Sequence, residues 1–140
     1  MTDVTQATVP ARDLDRVIGF TIPERNARGR MVRLGPVLDA ILSAHAYPAP
    51  IERLLAEALT LTALLGSTLK DDEGQLTLQA QTKGGIVKLL VCDYKAGELR
   101  GYVQFDGDRL ALLGANPSLY AMFNQGYLAV TFDQVLTGER

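Results

Sequence analysis

One cysteine, one histidine and no tryptophan stand among the 140 residues of this chain, and each scarcity closes off a class of chemistry. A lone thiol, Cys92, forms no intrachain disulfide and is what a reducing compartment tolerates, so the expected localisation is cytoplasmic. Nucleophilic catalysis needs a base beside the serine or cysteine, yet His45 is the one histidine and lies far along the chain from Cys92. His45 reads instead as a helix C-terminal residue, and Cys92 as a small apolar side chain on a strand. One cysteine and one histidine do not build a tetrahedral zinc site, and Asp71, Asp72 and Glu73 lack the alternating ligand pattern of a calcium loop. Gly84-Gly85 and Gly107 are turn glycines, not a phosphate-cradling loop. No catalytic, cofactor-binding or metal-ligating residue is therefore expected.

Charge of one sign is missing too. Lys plus Arg number 14 against 16 Asp plus Glu, and a net charge of -2 gives no footprint for a phosphate backbone, so nucleic acid is not an expected partner. Nor is a membrane: the most apolar stretch, 51–69, carries Glu52, Arg53 and Glu57, and residues 1–16 lack the apolar core of a secretory signal.

What the chain does have is apolar content of 47% with only 21% charged residues, enough for one packed domain. Residues 1–14 read as a flexible tail and 15–140 as the domain. Stretches 17–22 and 31–34 predict a β-hairpin whose long turn, 24–30, holds polar residues. The arginines Arg25, Arg28, Arg30 and Arg33 make this hairpin the chain's basic cluster, read as a solvated edge that discourages aggregation ahead of a surface for phosphates or an acidic protein. Gly35-Pro36 opens a short helix to about residue 45, and Pro48 and Pro50 force a break before a second, central helix over 51–69. Gly66 near its end is expected to permit close approach of another backbone. From Leu76 the period becomes two, predicting strands near 76–81, 86–91, 99–105 and 127–132, with a turn at Asp106-Gly107 and a short helix from Asn116 to Phe123. The expected fold class is α+β: a mainly antiparallel sheet with an N-terminal β-hairpin and two consecutive helices packed against it.

Several segments, in order, resemble the N-terminal domain of the heat shock protein 33 family, redox-regulated holdase chaperones also called 33 kDa chaperonins. They are Arg28-Gly29-Arg30-Met31-Val32, His45-Ala46-Tyr47-Pro48-Ala49-Pro50, Leu55-Ala56-Glu57, Thr68-Leu69-Lys70, Leu76-Thr77-Leu78-Gln79, Leu99-Arg100-Gly101-Tyr102 and Gly126-Tyr127-Leu128-Ala129-Val130-Thr131. The resemblance implies capture of unfolding client proteins on exposed apolar surface, self-association into dimers, and no catalysis. It also implies a separate C-terminal zinc module with paired cysteines, none of which Cys92 matches. No cofactor is then expected within these residues, and the domain is expected to be incomplete at its C-terminus, without the redox switch.

A capture surface must be apolar and exposed. The candidates are Val87, Leu89 and Val91 on one face of a strand, Val103 and Phe105 on the next, and Leu128, Val130 and Phe132 on the last. The strand faces at Val87, Leu89 and Val91 and at Val103 and Phe105 read as core in preference to surface. Two rival readings stand beside client capture: a structural or dimerisation module, and a small-molecule enzyme of unknown reaction.

Overall fold

The computed structural model describes residues 14–70 and 73–133. The tail expectation falls, apart from Leu14, outside the described residues.

Strands β1 (Arg16–Ile22) and β2 (Ala27–Arg33) pair antiparallel as a separate two-stranded sheet. The turn between them is much shorter than the sequence suggested. Pro23 starts a single 3₁₀ turn, Pro23–Arg25, and Asn26 leaves it at φ 48°, a left-handed conformation that asparagine tolerates. Arg28, Gly29 and Arg30 then lie in β2, because a hairpin exposed to water accepts polar side chains within its strands.

Helix α1 (Pro36–Ser43) opens on proline, and Leu38, Ile41 and Leu42 pack its inner side against the core. Pro48 caps the next helix, α2 (Ala49–Gly66), with Pro50 in its first turn, where a missing N–H breaks no bond. The helix ends earlier than its apolar pattern does. Thr68 and Leu69 close i to i−3 bonds onto Leu65 and Gly66, a tightened last turn. Along its inner face Ile51, Leu55, Leu59 and Thr62 are fully buried. The Thr62 hydroxyl donates to the Ala58 carbonyl at 2.7 Å, so its polar atom is satisfied.

The main sheet has four antiparallel strands in the order β5-β4-β3-β6. These are β3 (Gln75–Thr82), β4 (Val87–Lys95), β5 (Glu98–Phe105) and β6 (Gly126–Asp133). Helix α2 lies across β3, β4 and β5, burying Leu76, Leu78, Leu90, Cys92 and Val103 beneath it. Close approach is possible because β5 carries Gly101 opposite Cys92, where an added Cβ would stand 2.9 Å from Leu59 and 3.1 Å from Leu55. Gly66 makes room differently than expected: its neighbour is the ring of Tyr94, not another backbone.

One further departure concerns a turn, whereas the short helix ending at Phe123 forms as its sequence suggests. Asp106-Gly107 begins a short helix, α3 (Gly107–Ala111), which Asp106 caps by accepting from the Arg109 N–H at 3.2 Å. Ser118 caps α4 (Leu119–Phe123) in the same way. On the outer edge of β5, the Val103 N–H donates to the Tyr47 hydroxyl at 3.0 Å. The Tyr47 ring is itself stacked on His45 and set edge-on to Phe105.

Candidate functional site: an apolar trough between α2 and β6

Residues paired across an antiparallel ladder point to the same face. In the β3–β6 register Leu76 faces Phe132, Leu78 faces Val130 and Ala80 faces Leu128. The three β6 side chains therefore share the core face of the sheet. Their β3 partners are covered by α2, but α2 stops short of β6, leaving Leu128 62%, Val130 38% and Phe132 50% exposed. Next to them runs a trough of about 410 Å³ whose walls include Leu54, Ala58 and Leu61 of α2, Leu119 and Phe123 of α4, and Leu128 of β6. Among the described residues its one charged wall residue is Glu57, and its floor is Leu78, Ala80 and Leu90. Beyond β6 no strand pairs with the sheet among the described residues, so the trough is bordered by an open edge of backbone donors and acceptors.

The other sequence candidates fall elsewhere. Val87 and Val103 are buried, so they serve as core and meet no partner in the folded chain. Phe105 is half-buried against the same core. Val87, Leu89 and Val91 do not share a face. A β-bulge shifts the register between Val87, opposite Phe105, and Leu89, opposite Gln104, so strict alternation fails there. Val87 points inward with Leu90 and Cys92, whereas Leu89 and Val91 lie half-buried on the opposite face. Leu61, Leu119 and Phe123 were not singled out from sequence. The signal for Leu61 was present, because a helix with apolar residues nearly all round buries one side and leaves another side greasy.

Cys92 and His45 lie apart and do not form a nucleophile–base pair. His45 is exposed beyond the end of α1, stacked on Tyr47 with ring centroids 4.8 Å apart. Cys92 is fully buried, and loss of hydration pushes its thiol up from 9.0 to about 12. The Thr62 hydrogen bond opposes that rise, and the Asp93 carboxylate adds to it. These two residues do not fit zinc, and among the described residues no three His, Cys, Asp or Glu side chains converge to hold a metal.

A testable consequence concerns the thiol. Cys92 in the folded chain is expected to resist an aromatic disulfide reagent at neutral pH and to react at once in denaturant. Fast labelling of the native chain contradicts the burial. The sign of the pH effect follows from the raised value. The unfolded thiol ionises near 9.0 and the folded one near 12, so its contribution to stability is complete below the first value and lost as the pH climbs towards the second. Melts between those limits check this against Cys92→Ala, whose alkaline decline should be shallower.

A family model described as Hsp33 protein matches residues 15–140. The chain belongs to the Hsp33 family. The 33 kDa chaperonin of Caulobacter vibrioides (strain NA1000 / CB15N) is 41% identical over 138 residues, 96% of this chain and 44% of the relative. That of Ectopseudomonas mendocina (strain ymp) is 39% identical over 114 residues, covering 81% of this chain and 37% of the relative. That of Shewanella woodyi (strain ATCC 51908 / MS32) is 32% identical over 126 residues, 90% and 42% respectively. The chain thus spans less than half the length of these curated relatives. The Hsp33 relatives bear the name of a chaperonin and not of an enzyme. No helix among the described residues is long and apolar enough to cross a membrane.

Proposed function

We propose that this chain binds unfolding proteins and holds them out of aggregates, using the trough between α2 and β6. The observation that carries the reading is the exposure of Leu128, Val130 and Phe132 on the core face of the sheet. Unfolding releases apolar side chains and unpaired strand backbone, and an apolar trough beside an open edge offers complements to both. Family membership supports the same reading through the relatives' name. The expected setting is the cytoplasm.

Light scattering of a heat-unfolding client tests it. The chain is expected to suppress scattering, and equally so with and without peroxide, because one buried thiol forms no intramolecular disulfide. Redox control of the kind the family resemblance implies would then reside outside Cys92. Aggregation that proceeds unchanged at molar excess of the chain contradicts client capture. Peroxide-dependent gain that survives Cys92→Ser contradicts the redox part alone.

Self-association is a second reading of the same surface. A second copy packed over the face of β6 would cover Leu128, Val130 and Phe132, each worth about 1.5–3 kcal/mol when fully buried, and pairing of the two β6 edges would satisfy backbone groups as well. Sedimentation across a concentration series distinguishes a self-covering dimer, whose mass falls on dilution, from a monomer with a vacant trough.

A further inference from the structure

We propose that the β1–β2 hairpin is a second docking surface, which takes an extended acidic segment of a client polypeptide by strand addition along β2. The inference rests on the capture reading above in taking the client as the source of that segment. Between Arg16 and Arg33 the hairpin holds five arginines and one glutamate, a local net charge of +4 in a chain whose net charge is -2. Towards the turn the charge is sorted by face, whereas at the other end Arg16 and Arg33 pair on the face of Ile18 and Met31, and Val17 and Val32 pair on the face of Arg30. Register pairs Ile18 with Met31, Phe20 with Gly29 and Ile22 with Ala27 on one face, and Gly19 with Arg30 and Thr21 with Arg28 on the other. On the first face Ile18, Phe20, Ile22 and Met31 are each between 41% and 49% exposed. Beside the hairpin lies a cavity of about 830 Å³ that residues of both faces reach, Phe20 and Gly29 from the first and Thr21, Arg28 and Arg30 from the second, with Lys70 on its wall and no acidic side chain among the described lining residues. Arg30 is held in place by donating to the Ser67 carbonyl at 3.0 Å.

Neither outer edge of this sheet pairs with another strand among the described residues. A strand laid along β2 alternates its side chains between the two faces. One set would fall beside Arg28 and Arg30, the other beside Met31 and Phe20. Carboxylates suit the first set and apolar side chains the second. The same arginines repel a second copy of the hairpin, so an edge guarded against its own kind is open to a partner of opposite charge. A bare polyanion would satisfy the arginines but leave the apolar face uncovered, which favours a polypeptide over a nucleic acid.

Fluorescence anisotropy on the 140-residue chain tests this with a labelled peptide of alternating Glu and Val, its Lys and Val counterpart, and a single-stranded oligothymidylate. The acidic peptide is expected to bind about tenfold or more tighter than the basic one and to weaken as salt shortens the Debye length below about 10 Å. Arg28→Glu and Lys70→Glu should each weaken it several-fold with an unchanged melt, and N-methylation at alternate peptide bonds should abolish it. Equal affinities for the two peptides, indifference to salt and to Arg28→Glu, tolerance of N-methylation, or tighter binding of the oligonucleotide would each overturn the proposal. The two readings fail separately. Loss of aggregation suppression in Leu128→Asp without any acidic preference leaves the trough and removes the hairpin, whereas acidic preference without aggregation suppression does the reverse.

Discussion

Leu128→Asp, and more so its combination with Phe132→Asp, is expected to abolish suppression of client aggregation while leaving the chain's own melt nearly unmoved. Both side chains are at least half exposed, so little buried area is lost in the substitution. Surface changes of this kind usually fall within about 0.5 kcal/mol of neutral. Capture, in contrast, requires a client side chain to leave water against that surface, and a carboxylate at the trough's rim must then be desolvated without a partner, costing on the order of several kcal/mol. The same variant should lower the mass seen by sedimentation if the face also joins two copies. Client scattering and the melt are measured side by side. Full suppression by the double variant, or a monomeric mass for both proteins at the highest concentration, separates capture from self-covering and removes whichever reading it contradicts.

Leu59→Ala should have the opposite profile, with a large loss of stability and capture kept below the new melting point. Leu59 is fully buried and lies against the Gly101 position, in the layer where α2 presses on β5. Replacing such a leucine removes its transfer free energy and leaves a cavity, which costs about 2–5 kcal/mol. Collapse of the surroundings is limited here, because Leu55 and Cys92 flank the same spot and are themselves fully buried. Denaturant titration with an unchanged slope reads the effect directly. A loss under about 1 kcal/mol would mean that α2 settles into the gap, and that its packing is looser than complete burial implies.

Much of the architecture was legible from spacing alone. The alternation at Leu76, Leu78 and Ala80 and the proline break before α2 are local signals that tertiary packing had no reason to override. What was illegible depended on partners distant in sequence. Nothing local in β4 announces the bulge that turns Val87 inward, since its cause is the match to β5. The polarity of Arg28 to Arg30 suggested a turn, yet a hairpin with two wet faces tolerates charge within its strands. Asp106-Gly107 was read as a turn because an N-cap and a turn share the same residue types, and only the chain that follows decides between them. For the trough, Leu128, Val130 and Phe132 were visible as one apolar face. That face is exposed because α2 ends its cover at β3, and a helix's lateral position on a sheet is written in no single segment.

The Tyr47 hydroxyl, seated on the outer backbone of β5, makes the four-stranded sheet lopsided. A sheet growing by addition of copies needs two live ends, one to receive and one to offer, if it is to lengthen into a fibre. Here one end carries a side-chain stopper, and the other, β6, is spent the moment two copies meet along it. Growth through this sheet terminates at a pair by geometry, without any need for repulsion. A protein that displays a greasy, open strand is thereby shielded from polymerising through it, and the residue that provides the shield sits in the proline-flanked turn between α1 and α2.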